Sequence, residues 1–289
     1  MIRHTPPGPP MTHTPNAEEF QAEIIRRYDA PMYRAMLEVY GDQIHPGFLE
    51  QGDDDIRAAA LRATVRLAEL AHVTPGSRVL ETACGVGGTA RYLATARGAA
   101  VVATNISRSQ LAIGEDWTRN APGARSIAFE YADFHELPFA AASFDVYWCQ
   151  DALLFSSDRP RALAEAARVV RPGGTIAISD LMVVGTPAPG AAALLHEISA
   201  PGFWSIESYR DGLQAAGFEA IVTEDWTRHV LPSFECITAA IVAKRARLAA
   251  IASEADVAET LERYALWCKA SRTGNLGWAA LVGTRRTGR

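Results

Sequence analysis

The chain has 289 residues, long enough for one large or two small domains with a substantial buried core. Its 48% hydrophobic and 21% charged residues are those of an ordinary globular protein and exclude collagen, coiled-coil and disulfide-miniprotein architectures. With 28 Lys and Arg against 33 Asp and Glu, the net charge of −5 lacks the basic surplus that phosphate neutralisation demands, which disfavours a nucleic-acid binder.

Residues 1–17 hold five prolines and little to bury, so the sequence predicts a disordered arm. From 18 to about 40 the positions Phe20, Ile24, Ile25, Tyr28, Met32, Met36 and Leu37 recur at helical spacing, and Pro31 must divide the stretch into two short helices. A loop over 41–55 leads to an Ala- and Leu-rich helix ending near Ala71, capped from among Asp53, Asp54 and Asp55. After Pro75 and Gly76, short apolar runs alternate with amphipathic stretches, the signature of a parallel sheet with crossover helices. The expected strands are 78–82, 100–104, 127–131, 144–149, 175–180, 218–224 and 277–284, with one long helical stretch over 234–270 before the last. The pattern predicts an α/β fold: a Rossmann-like, seven-stranded, mostly parallel sheet with helices on both faces, an N-terminal helical cap and a helical insertion before the final strand.

Cys84, Cys149, Cys236 and Cys268 are widely spaced, show no C-x-x-C pair and read as free thiols, so no metal site is expected. The first 16 residues lack the apolar core of a secretory signal, and no run approaches the roughly 20 apolar residues of a membrane span. The expectation is a cytoplasmic protein without membrane or nucleic-acid partners.

The most informative segment is Val79-Leu80-Glu81-Thr82-Ala83-Cys84-Gly85-Val86-Gly87-Gly88-Thr89, an apolar strand entering a glycine cluster and then a helix. Glycines there keep side chains out of the turn, so that a ligand can lie against the backbone beside a helix N-terminus. About 20 residues on, Thr104-Asn105-Ile106-Ser107 stands where nucleotide-binding folds contact a ribose. Asp133 and Phe134 after the third strand offer a carboxylate and a ring to an adenine, Gln150 and Asp151 end the fourth strand, and Arg171-Pro172-Gly173-Gly174 introduces the fifth.

In these motifs the chain resembles the class I S-adenosylmethionine-dependent methyltransferases over residues 75–184: Glu81 to Gly87 match the glycine-rich motif, Asp133 the adenine-site acid and Arg171 to Gly174 the R-P-G-G turn. A looser likeness to the sarcosine and dimethylglycine N-methyltransferases rests on Gly41-Asp42-Gln43-Ile44-His45, Asn105-Ile106, Cys149-Gln150-Asp151-Ala152 and Gly274-Asn275-Leu276-Gly277-Trp278. The resemblance implies one methyltransferase domain over 18–289, with a cap at 18–74, a cofactor core at 75–184 and a lid with the last strands at 185–289. It also implies S-adenosyl-L-methionine as cofactor, held by Tyr28, Glu81, Ala83, Gly85, Gly87, Asn105, Ile106, Gln110, Asp133, Phe134 and Gln150. The partners implied are a small-molecule methyl acceptor and, at most, further copies of the chain as a homo-oligomer.

Two departures from the family pattern bear on chemistry. Asn105 replaces the usual ribose-facing acid, although an amide carbonyl can still accept from a hydroxyl. Phe155 stands where the phosphoethanolamine enzymes and some betaine-forming relatives carry a histidine, so a histidine-assisted amine mechanism does not transfer. The sequence favours an amine or amino-acid acceptor with Asp151 and Gln150 as polar anchors, and keeps as its alternative O- or C-methylation of a secondary metabolite or isoprenoid with His45 as base. A cofactor-binding subunit without catalysis is disfavoured by the intact motifs. Arg27, Tyr28 and Tyr33 are expected to close the site, with Tyr33, Phe155, Met182, Phe203, Trp204 and Tyr209 lining the acceptor pocket.

Overall fold

The computed structural model describes residues 17–50, 52, 55–199 and 202–288. The expected arm at 1–17, except its last residue, lies outside these residues, as do the candidate caps Asp53 and Asp54. Helices α1 (Ala17–Asp29) and α2 (Pro31–Tyr40) are separated at Pro31, which occupies the first turn of α2, where its missing N–H costs nothing. Helix α3 (Ile56–Leu70) starts at Asp55, whose side chain accepts from the Arg57 N–H.

The αβ core then runs β1 (Arg78–Thr82), α4 (Gly88–Ala96), β2 (Ala100–Asn105), α5 (Arg108–Thr118), β3 (Ile127–Tyr131), β4 (Phe144–Gln150), α6 (Arg159–Val169) and β5 (Val170–Val183). It continues with α7 (Pro189–Ile198), α8 (Ile206–Ala216), β6 (Phe218–Asp225), α9 (Val230–Ala243), α10 (Arg245–Ile251), α11 (Glu254–Arg272) and β7 (Leu276–Arg285). The seven strands form one sheet in the order β3-β2-β1-β4-β5-β7-β6, all parallel except β7, which is antiparallel to both β5 and β6. The strands carry the expected alternation: Val79, Val101, Val146 and Trp148 pack on one face with α3, α4, α9 and α11, while Leu80, Tyr147 and Ile176 pack on the other with α6 and α8.

Two boundaries depart from expectation for visible reasons. The single helical stretch over 234–270 is three helices: the backbone leaves helical geometry at Lys244, between α9 and α10, and Ser253 caps α11 by accepting from the Asp256 N–H. Strand β5 is longer than 175–180: Phe144 pairs with Val170 and Val146 with Thr175, so Arg171 to Gly174 bulge from the ladder, and β7 then pairs with β5 from Thr175 to Val183. Among the described residues no helix is long and apolar enough to cross a membrane.

Candidate active site

Because β1, β2 and β4 are parallel neighbours, their carboxyl ends bring Glu81 to Gly85, Asn105 to Ile106 and Gln150 to Asp151 to one edge of the sheet. A cavity opens there with about 1040 Å³ of free space including its mouth, the scale of a cofactor with a small partner. Helix α1 roofs it with Phe20, Gln21, Ile24 and Tyr28, and the segment after α2 contributes Asp42 to His45.

The glycine turn is built for close approach. Ala83, Gly85 and Gly87 all have positive φ, at 54°, 57° and 78°. A Cβ on Gly85 would meet nothing within 4 Å and would project into the cavity, whereas one on Gly87 would strike the Phe129 ring at 2.6 Å. Gly87 is the cap residue of α4, lies close against Phe129 and is not among the residues lining the cavity.

Three polar atoms on the cavity wall are buried and have no hydrogen-bond partner among the described residues: Glu81 Oε2, Gln110 Nε2 and Gln150 Nε2. Buried polar groups left bare are costly, so atoms of this kind on a cavity wall fit a polar ligand. Burial pushes the Glu81 carboxyl up to about 8 against the opposing pull of Arg91. Asn105 is engaged within the protein: its Oδ1 accepts from the Ser107 N–H at 3.1 Å, and its Nδ2 donates to Gln110 Oε1 at 2.8 Å and Gly85 O at 3.3 Å. The bare amide beside it is that of Gln110, not its own.

Asp133 lines the cavity with Phe134 and is held on both oxygens. Oδ1 accepts from the His135 N–H at 2.9 Å and meets His135 Nδ1 at 2.8 Å, while Oδ2 accepts from Gln21 Nε2 at 2.6 Å. The far nitrogen of His135 is fixed by Ser156 Oγ at 2.7 Å. Partial burial raises the Asp133 carboxyl, but the His135 and Gln21 bonds outweigh it and hold it below the usual range. The sequence analysis does not name Gln21 or His135; the i, i+3, i+7 spacing that puts Gln21 on the same face of α1 as Ile24 and Tyr28 is the signal that points to Gln21.

Asp151 follows β4 with φ +54°, rare for a residue other than glycine. Its Oδ1 accepts from Trp278 Nε1 at 2.7 Å and its Oδ2 from Ser179 Oγ at 3.0 Å. Burial, with the Asp180 carboxylate adding to it, pushes the Asp151 carboxyl up to about 8. His45 Nδ1 lies 4.0 Å from Asp151 Oδ2, but that nitrogen is 2.7 Å from Pro46 O, and Nε2 is 3.1 Å from Gln43 Oε1. Burial depresses His45 to about 4, so the ring is neutral at physiological pH.

Tyr28, Tyr33 and Phe155 form one aromatic wall, with centroids 4.7 Å apart for Tyr28 and Tyr33 and 6.0 Å for Tyr28 and Phe155. Arg27 stands outside the wall, its guanidinium 5.9 Å from the Phe155 ring. The other expected acceptor residues lie elsewhere. Met182 is buried in the core on the α6 and α8 face, Phe203 packs on Trp267, and Trp204 packs on Tyr209 and under Arg159. Tyr209 is wholly buried and spends its hydroxyl on Asp180 Oδ2 at 2.5 Å. Pro201, expected in the lid, lies outside the described residues. Burial lifts the Cys149 thiol to about 12, so it is not a thiolate nucleophile. Among the described residues no group of three His, Cys, Asp or Glu side chains is placed to hold a metal ion.

Residues 80–178 match the family described as a methyltransferase domain. The chain is 34% identical over 218 residues to the 27-O-demethylrifamycin SV methyltransferase of Amycolatopsis mediterranei (strain S699), covering 73% of this chain and 79% of that one. It is 33% identical over 216 residues to the sarcosine/dimethylglycine N-methyltransferase of Halorhodospira halochloris, covering 73% and 77%. A Galdieria sulphuraria protein assigned as a sarcosine dimethylglycine methyltransferase superposes with a TM-score of 0.81 at 26% identity, covering 89% of this chain and 98% of that one. Structures of the same fold have been solved with S-adenosylmethionine or S-adenosylhomocysteine bound. Sheet order, cavity and kinship together place the chain in the class I S-adenosylmethionine-dependent methyltransferases, acting on small molecules.

Proposed function

We propose that the methyl acceptor is a hydroxyl group of an uncharged, largely apolar small molecule. One observation carries this reading: the cavity wall combines the carboxyls of Asp42, Glu81, Asp133 and Asp151, the imidazoles of His45 and His135, the phenols of Tyr28 and Tyr33 and the Cys84 thiol with an aromatic and aliphatic surface, and holds no Lys or Arg among its described residues. A carboxylate on the acceptor therefore has no Lys or Arg among the described wall residues to pair with. The name of the Amycolatopsis relative, an O-methyltransferase, is in keeping with this.

In this reading Glu81, Ala83, Gly85, Asn105, Ile106, Gln110, Asp133 and Phe134 hold the cofactor, and Tyr28 covers it from α1. When bound, the cofactor supplies an activated methyl group and leaves as a neutral thioether. Asp151 takes the proton as the acceptor oxygen forms its bond to carbon; a carboxyl that titrates near 8 is a stronger base than an ordinary aspartate and is matched to neutral pH. Gln150 donates its bare Nε2 hydrogen to the acceptor oxygen, and Tyr33 and Phe155 pack the acceptor and exclude water. His45 is a neutral spacer whose Nδ1–H donates to Pro46 O, and burial makes it too weak a base for the proton transfer.

A second reading, methylation of an amine, draws on Asp151 as a counter-ion and on the likeness to the Halorhodospira N-methyltransferase. A mass-spectrometric assay with S-adenosylmethionine separates the two, using 27-O-demethylrifamycin SV, other macrocyclic alcohols and phenols, sarcosine, dimethylglycine and simple amines. One added methyl on an alcohol or phenol is the expected result. Methylation confined to sarcosine or dimethylglycine would overturn the hydroxyl reading.

A further inference from the structure

We propose that Trp278, seconded by Ser179, is a positioning residue of the methyl transfer: its indole N–H fixes the Asp151 carboxylate in the attitude from which it faces the acceptor. The inference rests on the reading above that Asp151 is the proton acceptor, and it names what holds that group in place.

The geometry is unusual for a surface loop residue but natural for an aimed one. Asp151 turns the chain at the end of β4 in a left-handed conformation, which is strained for a non-glycine residue and persists only where surroundings over-determine it. The surroundings here are explicit. The Asp151 N–H donates to Ser179 O at 2.7 Å, the Ser179 hydroxyl to Oδ2 at 3.0 Å and the Trp278 indole to Oδ1 at 2.7 Å. Each carboxylate oxygen thus has one donor on its protein side and lone pairs left for the cavity.

The indole itself cannot drift. Trp278 is fully buried, with its ring edge-on to Trp226 at 4.9 Å and to Phe48 at 5.7 Å. Its backbone is pinned as well: its N–H donates to Thr227 Oγ1 at 3.2 Å, and its carbonyl accepts from the Trp226 N–H at 2.8 Å. The antiparallel insertion of β7 beside β5 is what carries this residue to the site, with Trp278 opposite Leu181 and Ala279 opposite Asp180.

The titratable groups facing Asp151 are His45 from the segment after α2, Asp180 from β5 and Cys149 on its own strand. Asp180 is in turn held by the Tyr209 hydroxyl and the Leu181 N–H, with Arg159 nearby. The neighbours pull in opposite directions: Asp180 favours the protonated form of Asp151, and the Ser179 and Trp278 bonds favour the carboxylate.

That opposition supplies the test. The ionisation of Asp151 is followed by infrared difference spectroscopy of its carboxyl band during a pH titration of the whole protein, the band being identified by its loss in Asp151→Asn. Trp278→Phe and Ser179→Ala are expected to move the midpoint up by about one pH unit, and Asp180→Asn is expected to move it down. In turnover of whichever alcohol the wild type methylates, Trp278→Phe should lose about tenfold in kcat/KM at pH 7 and recover much of it at pH 9. Circular dichroism identifies a variant that fails to fold, and Ser179→Ala then carries the test. An unmoved midpoint in both folded variants, or a loss equal at every pH, would make Trp278 merely structural and overturn the proposal. Undiminished turnover in Asp151→Asn would instead overturn the role of Asp151 beneath it.

Discussion

Replacing Asp151 by Asn should make the protein more stable, and by more at alkaline than at acid pH. Burial, and the neighbouring Asp180, lift this carboxyl from its ordinary 3.8 to about 8. Between those values the folded state holds a proton that the unfolded chain releases, so stability falls as pH rises through the interval and is fully retained only below it. Each unit of displacement is about 1.4 kcal/mol, so the wild type should lose about 3 kcal/mol between pH 5.5 and pH 8 on this group alone. Asparagine keeps the hydrogen bond from Trp278 and can meet the Ser179 hydroxyl with its amide, without titrating. His45, depressed to about 4, works in the other sense, adding stability as pH rises from 4 towards 6.5. It is common to both proteins and cancels in the difference. Urea denaturation of wild type and variant at pH 5.5 and 8, compared as ΔΔG, is the assay. A gap that stays constant across the interval would refute the assignment of a buried, protonated Asp151. With Asp151 as the proposed proton acceptor, the gain in stability should accompany loss of methyl transfer.

Gly85→Val should abolish S-adenosylmethionine binding in calorimetry, because the branched side chain occupies the cavity and strains a residue at φ +57°; retained binding would mean that the cofactor lies elsewhere. His135→Ala removes a bond that holds the Asp133 carboxyl low, so the acid-side loss of cofactor affinity should begin at higher pH than in wild type when the dissociation constant is measured across pH 4.5–7. Met182→Ala should cost about 2–5 kcal/mol in denaturation as a cavity in the core while leaving cofactor affinity unchanged; weakened binding would return Met182 to the site.

What could be read from the sequence is what depends on strand ends. In a parallel sheet the residue that leaves the apolar run must emerge at the common carboxyl edge, so Glu81, Gly85, Asn105, Gln150 and Asp151 converge once the strands are recognised. Tyr28 from α1 and Tyr33 from the first turn of α2 reach the same cavity because these two helices fold back over it. Helical and strand periodicity identifies a buried face but does not say what that face is buried against. That is why Phe20 and Ile24 read as core yet roof the cavity, and why Met182, Trp204 and Tyr209 read as acceptor residues yet belong to the core. The same limit hid contacts made across long stretches of chain, Gln21 on Asp133 from helix α1 and Trp278 on Asp151 from the far end of the sequence. Local pattern thus determined the sheet, the cofactor motif and the residues at its edge. Only tertiary packing, through the roof of α1 and the antiparallel entry of β7, decided which side chains face the cavity and what holds Asp151 at its wall.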